Sequence, residues 1–263
     1  MEEVGLGFNT IPVLIVTGLF LGMILALMVG RYLGRRHLSD EMASARTRLT
    51  AVEAAIFGLL GLLVAFTFSG ASSRYDLRRQ MTVDESNAIG TAYLRLDLLP
   101  AQAQPALREK FRRYLEARIA VYQLLPDIEA SYEQLVVATS LQPEIWAGAI
   151  AALRESPPQA TVVMIQALNQ MFNLATSRTI LSLAHTPLAI LIMLVVLGVA
   201  CALLAGYVMA GISTRFMKIH MIMFALITTI TVYVIVDLDY PRFGLIQLGF
   251  VDKAMLDLLA TMK

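Results

Sequence analysis

Residues 54–73 pass without a charged side chain, and the chain then runs on without a proline through SRYDLRRQMTVDESNAIGTAYLRLD. A helix needs about 20 apolar residues to cross roughly 30 Å of hydrocarbon. Lipid offers the backbone no hydrogen-bond partners, so a stretch of this kind must satisfy its own amides as a helix. The charged half that follows belongs in water, in a polar vestibule or against other protein. One helix, or two nearly continuous ones, is therefore expected to carry residues 53–97 from lipid into a polar domain.

Three more runs have the same character. The 27 residues between Glu3 and Arg31 carry no charge, which places a first membrane helix at residues 11–32. The start MEE and the lack of an A-x-A site do not suit a removable leader. No Asp, Glu, Lys or Arg occurs from Thr179 to Thr214. Pro187 interrupts that run and sets the third crossing at residues 188–210; residues 219–236 make a fourth. With 16% charged residues and a mean hydropathy of +0.67, the chain stands apart from soluble domains, which carry about 25%. Gly18 and Gly22 form a GxxxG pair, and Gly58 and Gly61 share a face with Ala54 and Ala65. Either set predicts close helix contact.

Residues 74–178 are polar, with 11 basic and 11 acidic side chains. Pro100, Pro105, Pro126, Pro143, Pro157 and Pro158 punctuate the insert. Between them the apolar positions recur at helical spacing: Phe111, Leu115, Ile119 and Tyr122; Ile128, Tyr132 and Leu135; Val162, Ile165, Leu168 and Phe172. This predicts four or five amphipathic helices, the last running from about Ala160 to His185. The fold class is all-α: a polytopic membrane protein with four crossings and a helical extramembrane domain between the second and third. The expected divisions are residues 1–73 (a membrane hairpin), 74–187 (the helical domain), 188–237 (a second hairpin) and 238–263 (a Pro/Gly turn and amphipathic tail).

The formal net charge of +1 and the lack of a dense basic cluster argue against nucleic acid. Cys201 is the single cysteine and forms no intrachain disulfide. His37, His185 and His220 lie far apart, and there is no phosphate loop or nucleophile elbow. No enzyme activity and no cofactor are expected. The short loops hold Arg31, Arg35, Arg36, Arg46, Arg48, Arg215 and Lys218. These lean toward the cytoplasm, while Arg74, Arg78 and Arg79 weigh on the other side; the connection from Arg31 to Thr50 is either a juxtamembrane loop or a lipid-headgroup site.

AFTFSGASSRYDLRRQ resembles the end of the second membrane helix of bacterial bestrophin homologues. Ala65, Phe66, Ser69, Tyr75, Asp76 and Arg78 lie on that group's A-F-R-x-N/S-x-A-Y-x-R-W-W-E pattern with a small shift. MTVDESNAIGTAYLRLDLLP is similar to a bestrophin-like group of bacterial membrane proteins, and Asp237, Asp239, Pro241 and Gly244 in DLDYPRFG fit its D-x-D-x-P-x-x-G pattern. The paired tryptophans are missing, Trp146 being the only one. The resemblance implies a homopentameric ion channel of the bacterial inner membrane, with inorganic ions passing along the second helix. Both termini and the helical domain would lie in the cytoplasm.

On that reading Leu62 and Phe66 form an apolar pore neck, and Arg74, Arg78 and Glu85 charge the pore mouth. The pair Asp237 and Asp239 forms a cation-binding turn. The plainer readings are apolar residues facing lipid, Arg78 or Arg79 paired with Asp76, Arg95 paired near Asp97, and a helix terminator in DLDYPRFG. The alternative function is a membrane-anchored helical domain that binds a partner or senses the envelope without transport.

Overall fold

The computed structural model describes residues 3–37, 43–211, 215–246 and 249–262. Among these the regular structure is helical, without a strand. In chain order the helices are α1 Glu3–His37, α2 Ala43–Leu94, α3 Gln104–Gln123, α4 Ile128–Leu153, α5 Pro158–Ser182, α6 Leu188–Val208, α7 Arg215–Asp239 and α8 Gly249–Thr261. The chain divides into two compact units. One comprises Met1–Ser73 with His185–Gly244, the other Arg74–Ala184 with Leu245–Lys263. Helix α2 is a single element of 52 residues with no break at Ser73.

In the first unit, α1 and α6 meet backbone to backbone. A Cβ on Gly206 would stand 2.1 Å from the Leu27 carbonyl oxygen, and one on Gly30 would stand 1.9 Å from that of Leu203. Only glycine permits this approach. Around it Met23, Ala26, Leu27, Ala202, Met221 and Ala225 form a buried cluster. The expected close contacts lie elsewhere: Gly18, Gly22, Gly58 and Gly61 have nothing within 4 Å of where a Cβ would be. Lipid favours glycine and alanine broadly, so the GxxxG spacing alone does not choose the contact.

The second unit has its own core. Phe111, Tyr114 and Leu115 of α3 pack with Leu141 and Ile145 of α4 and Met164, Leu168 and Met171 of α5. Met255 and Met262 of the C-terminal segment join them. Burying each large apolar side chain contributes about 1.5–3 kcal/mol. Asp127 starts α4 by accepting the Ala130 amide at 3.0 Å, as an N-cap should. The insert holds the α2 continuation and three further long helices, α3, α4 and α5. Pro143 sits inside α4. It forfeits one backbone hydrogen bond, but Leu141, Ile145 and Ala149 on either side are core residues, so packing carries the helix through. Helix α5 stops at Ser182, short of the expected His185, where the Leu183 amide turns back to Ile180.

Among the described residues five helices are long and apolar enough to cross a membrane: Val16–Arg36, Thr50–Leu98, Ile128–Leu153, Leu188–Val208 and Lys218–Asp239. The third, α4, adds to the four expected runs. One of its faces belongs to the core of the helical unit, and Lys110 of α3 pairs with its Glu144 at 3.0 Å.

Candidate functional site

The membrane half of α2 has two unlike faces. Leu60, Thr67 and Ala71 are buried, and Phe57 meets Phe224 of α7 edge to face at 5.5 Å. These positions recur at helical spacing and seat α2 on its own unit. On the other side Leu62 is 52% exposed and Phe66 68% exposed, with Gly58, Ala65, Ser69 and Ser73 open beside them. Leu62 and Phe66 are i and i+4, so they stack on one face. Among the described residues this apolar face is left largely uncovered.

Beyond Ser73 the pairing of Arg79 with Asp76 offered by the sequence is present, while Arg78 has a task that the sequence did not suggest. Arg78 is buried, and it donates from Nη2 to the Ala184 carbonyl at 2.7 Å and from Nε to that of Leu181 at 3.5 Å. A guanidinium there satisfies carbonyls that the end of α5 leaves over. Arg74 is half-buried. The exposed charges on this stretch are instead Asp76 and Arg79, paired at 3.6 Å, with Gln80 donating to Asp84 at 2.9 Å. Arg95 donates to the Val163 carbonyl, and Asp97 pairs with Arg108 rather than with Arg95.

Glu85 is 0% exposed and lies at the centre of a buried charge cluster. Its Oε1 accepts from Arg118 Nε at 2.6 Å and its Oε2 from Arg178 Nη1 at 2.8 Å. Arg118 also donates to Thr179 Oγ1 at 3.2 Å and to the Ala175 carbonyl at 3.3 Å. Arg178 lies 3.7 Å above the Tyr122 ring and 3.9 Å from Asp252 of α8. Three helices of the unit thus meet at one carboxylate, and α8 reaches the cluster through Arg178. Burial pushes the Glu85 carboxyl up, but the charges of Arg118 and Arg178 and their hydrogen bonds more than reverse this and hold it below the usual carboxylate range. Such a group is a tie within the unit and not a face for passing ions. The partners lie 33 and 93 residues away in sequence. One signal was available: Arg118 shares the face of Phe111, Leu115 and Tyr122 at helical spacing, an odd place for a charge without a partner.

The turn after α7 closes a clasp. Asp239 is fully buried, and its Oδ2 accepts the Thr186 amide at 2.6 Å just before α6 begins. His185 Nδ1 meets the Asp239 carbonyl at 3.0 Å, and its ring stacks on Tyr240 at 4.1 Å. Asp237 packs on the opposite part of the turn. A Cβ on Gly244 would stand 1.7 Å from its Oδ1, which is why the motif ends in glycine. Two residues apart on a helix, the carboxylates point in different directions. Among the described residues no group of three or more His, Cys, Asp or Glu is placed to hold a metal ion.

A family model described as Bestrophin-like domain matches residues 17–248. The chain belongs to the bestrophin-like family. The same fold occurs in crystal structures of a bacterial bestrophin homologue from Klebsiella pneumoniae. One point variant is 14% identical with a TM-score of 0.69, covering 94% of this chain and 99% of that one. A second is 14% identical with a TM-score of 0.67 over 94% and 98%. A form phased on zinc is 15% identical with a TM-score of 0.65 over 93% and 97%. None of the curated proteins matches. The bestrophin-like fold and the apolar helices make this a multi-pass membrane protein.

Proposed function

We propose that the protein is a homo-oligomeric ion channel, a pentamer, in which the membrane half of α2 lines the path. The observation that carries this reading is the open face of α2. One side is seated on its own unit, while the side bearing Leu62 and Phe66 is left for other copies and for the passage between them. A ring of such side chains gates by dewetting. Four crossings follow: α1, the first half of α2, α6 and α7. Helix α4 stays with the polar unit, because its core face is matched to α3. Both termini and the helical unit then share one side of a bacterial membrane. The polar continuation of the path is lined from Arg74 and Asp76 onward, since Arg78 and Glu85 are spent inside the unit.

The test is particle imaging of detergent-purified protein together with ion flux from liposomes. The expected result is a fivefold ring with measurable flux, raised several-fold when Phe66→Ala widens and wets the constriction. A monomer or dimer without an axial path, or a folded ring without flux, overturns the channel. The anchored helical domain would then stand as a binding or sensing module.

A further inference from the structure

The last turns of α1 combine an apolar stripe with a cationic end. Leu21, Leu25, Met28, Tyr32 and Arg36 follow one another three or four residues apart, so they share one face. The four before Arg36 are more than half exposed, from 54% at Tyr32 to 61% at Leu25. The Arg36 guanidinium lies 4.5 Å from the centre of the Tyr32 ring. Beside it, Arg35 Nε donates to the Ala210 carbonyl at 3.4 Å, just past the end of α6. That reach depends on the tight α1–α6 seam: a Cβ on Gly34 would stand 2.4 Å from the Tyr207 carbonyl oxygen. Lys218, exposed in the first turn of α7, follows the short connection from that same α6 end.

Neither Arg35 nor Arg36 meets a carboxylate among the described residues. In the sequence, the two connections at this end hold seven Lys and Arg against Asp40 and Glu41. The stretch of α1 long and apolar enough to cross a membrane ends at Arg36, which would put the cations at the depth of the headgroups.

We propose that this corner binds an anionic phospholipid, with the phosphodiester on Arg35 and Arg36 and an acyl chain along Tyr32, Met28, Leu25 and Leu21. Guanidinium forks match phosphate oxygens in pairs, and tyrosine suits the boundary between chain and headgroup. The order of side chains along the helix repeats the order of groups in the lipid. A free phosphate offers the same oxygens but has nothing for the stripe to hold. A zwitterionic lipid offers the chain but brings its own cation against the arginines.

The test uses the whole protein in neutral detergent, with phosphatidylglycerol and phosphatidylcholine of identical chains, and native mass spectrometry to count bound lipid. The expected result is phosphatidylglycerol held about tenfold or more in preference, a preference lost in Arg35→Gln with Arg36→Gln and largely kept in Arg35→Lys with Arg36→Lys. Thermal unfolding checks that the variants fold, and the comparison of the two lipids on the unaltered protein decides by itself if they do not. Equal retention of the two lipids overturns the proposal, as does a folded glutamine variant that keeps the preference. Inorganic phosphate at matched concentration is expected to leave the lipid in place. Displacement by it would make this a free-anion site and overturn the lipid assignment.

Discussion

Glu85→Ala is expected to destabilise the helical unit by about 3–5 kcal/mol, the usual cost of removing one partner from a buried charge cluster. The substitution deletes the one carboxylate that, among the described residues, directly contacts both Arg118 and Arg178, whose side chains are 2% and 6% exposed. Two guanidinium groups would then lie in a medium that stabilises charge poorly, with Asp252 at 3.9 Å as the remaining counter-ion. A typical domain is stable by only about 5–15 kcal/mol, so the helical unit should unfold at a much lower temperature. Thermal unfolding of the detergent-purified protein followed by circular dichroism measures this, and a midpoint within a degree or so of the parent would mean that the cluster holds little together. The same group predicts an acid limit. Its carboxyl titrates lower in the folded chain than the ordinary value of 4.5, so the folded state binds the proton less readily than the unfolded one. The stabilisation is complete above that ordinary value and drains away as pH falls through the folded one. Glu85→Gln should flatten this part of the stability profile.

Gly206→Val is expected to damage the membrane unit severely, at about 3 kcal/mol, the upper end of overpacking costs. The new Cβ would stand 2.1 Å from the Leu27 carbonyl oxygen, 2.8 Å from its carbon and 3.0 Å from its Cα. All three are backbone atoms, so no rotamer change relieves the clash and the helices must separate. Separation opens the cluster of Met23, Leu27 and Ala202. Gly22→Val is the control: with nothing within 4 Å of its Cβ position, it should change stability by no more than about 0.5 kcal/mol. Expression level and unfolding temperature of the two variants make the comparison. Equal damage from both would show that α1 uses Gly22 for contact after all.

Much of the fold was legible because lipid imposes a length. A hydrocarbon layer admits helices of one size, so the apolar runs near residues 11–32, 54–73, 188–210 and 219–236 could be read as candidate spans, and each overlaps one of the five long apolar helices. The bestrophin-like resemblance was carried by motif residues such as Phe66, Pro241 and Gly244. What sequence spacing does not specify is which face of an amphipathic helix is buried. Arg74 and Arg78 share a face by arithmetic, yet whether that face meets water depends on α5, whose end lies more than a hundred residues away. Glu85 is a similar case, being exposed by composition and enclosed by Arg118 and Arg178. The glycines show the same limit. Gly30 and Gly206 carry the seam because α1 and α6 cross there, and no local pattern sets them above Gly18 and Gly22. Pro143 stayed within α4 because core packing around it outweighs one lost hydrogen bond.

The clasp at His185, Thr186 and Asp239 also bears on how α6 and α7 would answer to bilayer thickness. It ties the first residues before α6 to the last residue of α7, so neither leg can slide along the other. Helix α6 has 21 residues, a rise of about 32 Å, close to the hydrocarbon depth it must span. In a thinner membrane two unpinned helices could shift independently to hide their ends. If both cross the bilayer as proposed, these two are expected to tilt together, so that a change in lipid thickness becomes a change of angle.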